Sequence, residues 1–334
     1  MLVLLFGALL LQTGNRLAEE ARLHPDSATA NHLAGEYYLK ENDLKAAIPY
    51  LEAAHRLDPT NYVNSFDLAT AYLQAGSANQ SRSLVNELLQ HGDKGELHNL
   101  LGDIEEASGQ VDQAAHEYEL AARLDPSEKN LFDLGSDLLK HRGFQPALTV
   151  FDFAVKKYPQ SSRLRVGLGV SHYSLGQYDD AVQALCQAVD LDPKDTKALD
   201  FLGKMYDISP VYADEVTKRL AGFVHTYPHN AAASYYYALS LHKRALNRQA
   251  ELYLLHALEL QPTFADAHYE LGLLYQDQHE SAKAITQLEI AVKQRPDFLQ
   301  AHYHLAQLYK KAQKYHLADA EFARIEELKA RSSH

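Results

Sequence analysis

Histidine and carboxylate are the residue types in this chain best placed to do chemistry: 18 histidines and 44 Asp and Glu residues stand among 334. Chelation of a metal needs two donors on one face of an element. His302 and His304 are two residues apart, a spacing that sends them to different sides of a helix, so they do not chelate together. His268 and His302 fall at equivalent places in an apolar pattern, which predicts inward packing with a ring nitrogen bonded rather than metal ligation. The adjacent acids Asp179-Asp180 and Glu105-Glu106 read as solvated faces. H-E-x-x-H, G-x-x-x-x-G-K-[ST], C-x-x-C and G-x-S-x-G, the spacings that build zinc, phosphate, redox and acyl-transfer centres, are all missing. Gly167 and Gly169 make a G-x-G inside a helical pattern with no strand before it, so close packing explains them. The single cysteine, Cys186, excludes an internal disulfide and sits in an apolar stripe as a structural thiol. The expectation is a chain with no catalytic residue, no metal and no cofactor.

The elements that would position these residues are set by a proline period. Pro25, Pro59, Pro126, Pro159, Pro193, Pro228, Pro262 and Pro296 recur about every 34 residues, with Asp93 where one proline is skipped. Aligned on that period, Gly35, Gly102, Gly135, Gly169, Gly203 and Gly272 share position 8 of a unit, and Ala47, Ala114, Ala147, Ala181, Ala250 and Ala284 share position 20. Positions 4-7-8-11 and 20-24-27-28 form two apolar stripes of helical spacing, separated by turn formers such as Asn42-Asp43, Gly76, Gly109, Gly143 and Gly176. Proline stops the second helix, because it donates no hydrogen bond and disfavours a helical residue before it. The pattern predicts an all-α chain of helix–turn–helix units: 28–61, 62–94, 95–127, 128–161, 162–195, 196–230, 231–264, 265–298 and 299–332. Residues 13–27, with Leu17, Ala18, Ala21 and Leu23, read as a partial repeat that caps the array.

The segments Val166–Pro193 and His268–Pro296 carry a nearly complete signature, and on them the chain resembles the tetratricopeptide repeat family over about 28–332. The resemblance implies an α-solenoid, a right-handed superhelix whose first helices line a groove that meets a protein partner. Two units depart from the pattern. The second has Asp93 for proline and Leu88 for a small residue; the sixth is one residue longer and has Ser209-Pro210 where a turn glycine would stand. Their geometry is expected to be irregular.

Hydrophobic residues make up 46% of the chain and the net charge is −12, which argues for a folded protein that does not bind nucleic acid. Leu2–Leu11 is apolar and too short to span a bilayer; residues 1–12 are expected to be a signal-peptide core or a capping helix, with export to a periplasm or envelope favoured. On the face opposite the packing stripe, Tyr235, Tyr269 and Tyr303 share position 5, while Lys129, Arg163 and Lys197 share position 2, with Lys140 and Lys204 at positions 13 and 9. The tyrosines predict apolar or aromatic contacts, or stacking between units; the cations predict acidic partner groups. The Lys/Asn clamp by which some relatives hold chaperone tails is not matched, since His32 and Glu36 stand in its place. The reading is a non-enzymatic scaffold that binds an extended peptide or protein segment, with a regulatory or targeting subunit of an enzyme system as the alternative.

Overall fold

The structure, a computed structural model, describes residues 16–332; the expected export or capping segment 1–12 lies outside them. Every regular element among the described residues is a helix, as the two stripes predict, and none is long and apolar enough to cross a membrane. Two compact units are present, 1–154 and 155–334.

The first unit opens with a helix over 16–23, α1, whose Ala21 is buried against Ala30 and Ala34. Leu23, expected in that packing stripe, is 65% exposed, because the helix ends at it and Pro25 turns the chain. Helices then follow in pairs: α2 (Ala28–Lys40) with α3 (Leu44–Leu57), α4 (Tyr62–Gln74) with α5 (Ala78–Leu89), α6 (Gly95–Ala107) with α7 (Val111–Leu124), and α8 (Glu128–Lys140) with α9 (Phe144–Lys157), which runs across the division. The second unit holds α10 (Ser162–Ser174) and α11 (Tyr178–Leu191), α12 (Thr196–Lys204) and α13 (Ala213–Thr226), α14 (Ala231–Lys243) and α15 (Asn247–Leu260), α16 (Ala265–Asp277) and α17 (Ser281–Gln294), and α18 (Leu299–Lys311) and α19 (Tyr315–Ser332).

Close packing within a pair rests on position 8. A Cβ added to Gly35, Gly102, Gly135, Gly169 or Gly272 would stand 2.5–2.9 Å from the Leu51, Tyr118, Phe151, Leu185 or Leu288 side chain, each sixteen residues on. Those partners are buried and fill the space that the glycines leave. Helix starts are set by the residue after the proline turn. Ser27, Asn61, Ser127, Ser161, Asp195 and Asn230 each accept a backbone N–H of the first helical turn. At α16 and α18 the cap position holds Phe264 and Phe298, whose side chains accept nothing.

The turn inside each pair is closed by one residue with positive φ: Asn42, Gly76, Gly109, Arg142, Gly176, Ala245, His279 and Gln313, all at position 15. Gly143, expected as the turn former of its unit, is one residue later, and Arg142 takes the left-handed conformation instead. In the sixth unit position 15 is Pro210, whose ring fixes φ near −65° and forbids that turn. The chain there leaves α12 after nine residues and passes through a short 3-10 helix, Pro210–Tyr212, before α13. The expected irregularity therefore has a local cause. Gly203 follows it: an added Cβ would meet Tyr236 of α14 at 2.4 Å rather than a side chain of its own pair. The second departure is smaller. α5 stops at Leu89, and Asp93 in the proline position accepts from His98.

Candidate functional site

Adjacent first helices are joined along the face expected to meet a partner, and the joints repeat with the unit. At two junctions position 5 of one repeat bonds position 6 of the next: His32 Nε2 to Asp67 at 2.8 Å, and Asn99 Nδ2 to Asp133 at 2.9 Å. Position 12 bonds position 13 of the next in the same way, as in Glu106 with Lys140, Asp207 with Lys243 at 3.4 Å, and His242 with Asp277 at 3.1 Å. Charges that look solvated in the sequence are thus staples between adjacent repeats of the same unit.

This geometry places each residue expected at the site. Lys129 donates to Asn99 and, at 2.7 Å, to Asp133. Lys140 donates to Glu106. The charge of both lysines therefore faces acids or amides of the first unit. In the second unit Arg163 and Lys197 lie exposed in the first turns of α10 and α12, and Lys204 closes α12 with its ammonium 5.7 Å from the Phe201 ring centre.

Tyr235 and Tyr269 are half-buried and stack on the two residues that replaced polar caps: Tyr235 on Phe264 at 4.9 Å and Tyr269 on Phe298 at 4.8 Å between ring centres. The lost cap contributes about 1 kcal/mol elsewhere, and an aromatic pair offsets it with about 0.5–1.5 kcal/mol beyond area burial. Two of the three tyrosines therefore serve stacking between adjacent repeats. Phe264 and Phe298 at a cap position were the legible signal of this. Tyr303 has His304 beside it at 5.7 Å between ring centres, and the residue is 51% exposed.

Sequence reasoning missed Glu270. It sits at position 6 of α16, where Asp67 and Asp133 accept from a polar group one repeat earlier, but its counterpart is Tyr235. No hydrogen bond or ion pair reaches it from the described residues. Burial, then the charges of Asp266 and Asp207, push its carboxyl up to about 7. A cleft of about 390 Å³ opens there, lined by Tyr206, Leu239, Glu270 and Leu273 with Lys243 and the His242–Asp277 pair.

His268 and His302 pack inward as expected, and both ring nitrogens of each are engaged. His268 bonds Gln287 at 2.7 Å and the Pro262 carbonyl at 3.1 Å; His302 bonds Glu321 at 2.5 Å and the Pro296 carbonyl at 3.1 Å. Cys186 is buried, and its thiol is pushed up to about 11 by burial. The solvated reading of the acid pairs holds for Asp180, which is exposed, and is corrected at the other three residues. Glu105 is buried and accepts two bonds from Arg82 at 3.0 and 2.9 Å, Glu106 holds Lys140 and His141, and Asp179 accepts from Ser209. Proximity in the fold, invisible in sequence, supplies each partner.

Comparison with known proteins matches this architecture. Tetratricopeptide repeat models match residues 38–104, 95–128, 132–196 and 253–286. The chain belongs to the tetratricopeptide repeat family. Over 169 residues it is 27% identical to the tetratricopeptide repeat and J domain-containing co-chaperone DNJ1 of Fusarium oxysporum f. sp. lycopersici, covering 48% of this chain and 32% of that protein. The chain thus spans about a third of the length of that curated relative. Among solved structures, MamA is 25% identical over 50% of this chain and 96% of its own, with a TM-score of 0.42. A chain of the APC/C hetero-tetramer Cut9–Hcn1 is 16% identical over 89% of this chain and 58% of its own, at 0.48, and YrrB, described as having an unusual peptide-binding site, is 18% identical over 55% and 95%, at 0.40.

Proposed function

We propose that the chain is a non-enzymatic scaffold that captures an extended segment of a protein partner on the first-helix face of its second unit. The observation that carries this reading is the cleft at Glu270, a half-buried carboxyl with no donor of its own on a face where the equivalent acids are satisfied. An extended segment supplies donors in its backbone N–H groups and in lysine or arginine side chains, and a carboxylate accepts them strongly. Tyr303 offers a rigid ring with a polar tip to apolar or aromatic partner groups. Lys197 and Lys204 meet acidic groups of the partner. Lys129 and Lys140 contribute less than their sequence positions suggest, because each already faces an acid. A role in bacterial envelope assembly rests on residues 1–12 alone, and sequencing the mature N-terminus tests it.

Selection of a displayed peptide library on the immobilised chain, followed by titration of a selected peptide, tests the reading. Glu270→Gln and Tyr303→Ala leave the Tyr235–Phe264 and Tyr269–Phe298 stacks intact, and each is expected to weaken binding at least about tenfold, a loss of about 1.4 kcal/mol. Unchanged affinity in both variants, or no peptide enriched over background, refutes capture on this face.

A further inference from the structure

Away from the second unit's cleft, three ligand-bearing side chains converge in the first unit. Glu106 stands near the end of α6; Asp137 lies in the last turn of α8, and His141 caps that helix. One ligand atom from each lies within 4.8 Å of the others. His141 Nε2 is 3.2 Å from Glu106 Oε2 and 3.6 Å from Asp137 Oδ1. The spacing of four puts Asp137 and His141 on one helix face, and the stagger that joins position 12 to the next repeat brings Glu106 over them.

Asp137 supplies the second observation. The residue is only 7% exposed, and its Oδ1, the atom directed at His141, has no hydrogen-bond donor. A buried carboxylate oxygen without a donor is costly and is retained where something else satisfies it. Lys140 does not: its ammonium sits on Glu106, from a side chain that is 62% exposed. The lysine therefore balances the outer acid and leaves the inner one.

We propose that Glu106, Asp137 and His141 form a binding site for a divalent transition-metal ion that bridges α6 and α8. Two carboxylate oxygens and one imidazole nitrogen suit zinc(II) or manganese(II). Magnesium and calcium prefer all-oxygen shells, and softer ions prefer thiolates. Three protein ligands leave at least one coordination position for water, or for a carboxylate or imidazole brought by a partner. Entry of the ion displaces Lys140 from Glu106, which its exposed side chain allows, and requires His141 in its neutral form. Because the ligands come from two repeats, the bound ion ties those repeats together.

Isothermal titration of the full chain with zinc chloride and with manganese chloride, using magnesium chloride as a control, tests the site. One saturable zinc site per chain is expected, together with a rise in melting temperature that magnesium does not reproduce. Asp137→Asn is expected to lower zinc affinity at least about tenfold and to abolish the melting shift. That variant keeps every histidine and so separates this site from adventitious imidazole binding. Lys140→Gln is expected to raise the affinity, a gain that a misfolded chain could not show. Equal zinc affinity in wild type and Asp137→Asn, or no saturable binding by the wild type, would overturn the proposal. So would an unchanged affinity in Lys140→Gln.

Discussion

At position 6 of successive first helices, Asp67 and Asp133 accept from His32 and Asn99, whereas Glu270 has Tyr235 at the equivalent position of the preceding repeat and no donor there. The difference has a pH signature. Burial beside Asp266 and Asp207 raises the Glu270 carboxyl from its ordinary 4.5 to about 7, so the folded chain holds a proton that the unfolded chain releases. Its contribution to stability is fully present below 4.5 and is lost as pH rises through about 7. At about 1.4 kcal/mol per pH unit the loss is on the order of 3 kcal/mol. Glu270→Gln should therefore match wild type at about pH 5 and exceed it by ~1–3 kcal/mol at about pH 8, read from urea midpoints. His98 behaves similarly in the first unit. Burial lowers its pKa, but hydrogen bonds to Glu117 and Asp93 outweigh that and hold it above the ordinary 6.5. Its stabilisation is present below 6.5 and lost as pH rises through the higher folded value. In His98→Gln the fall in stability from about pH 6 to about pH 9 should be shallower than in wild type; an identical slope would show that the Glu117–His98–Asp93 contact carries no charge.

Between the helices of each pair, position 15 must take a left-handed conformation, and the chain fills it with glycine in only three of the eight turns that use it. A residue with a Cβ costs roughly 1–2 kcal/mol there, less for an asparagine such as Asn42, a type that tolerates this conformation. Ala245, at φ 58°, has no such help. Ala245→Gly should raise stability by about 1 kcal/mol, since the helical residues on either side are unchanged and the strain is removed. A variant less stable than wild type in chemical denaturation would show that unfolded-state entropy dominates this turn. Pro210 is the extreme of the same rule: no adjustment gives proline a positive φ, so the whole element is rerouted through the 3-10 helix.

Within each compact unit, stability should be a sum of repeats and their interfaces, because each pair packs on its neighbours rather than on a shared centre. Damage in one repeat should then stay near it. Gly272 stands 2.8 Å, measured from a built Cβ, from Leu288, so Gly272→Leu forces α16 and α17 apart at a cost of roughly 1–3 kcal/mol or more. Hydrogen exchange should show lost protection in α16 to α18 and unchanged protection in α2 to α6. Uniform loss throughout the chain would mean that the repeats unfold as a single cooperative block.

Most of the fold was legible before any coordinates. A period of about 34 residues assigns every residue a position, and the small residues at positions 8 and 20 specify two helices in close contact. The irregular sixth unit was visible too, as Pro210 in a turn, because backbone chemistry is local. What the sequence could not supply was the partner of each polar group. Whether Tyr235 reaches a ligand or Phe264, whether Lys140 is available or held by Glu106, and that Glu270 has no donor all depend on the stagger between repeats. Helical periodicity fixes which face a side chain occupies. Only packing one repeat on the next decides what stands opposite it.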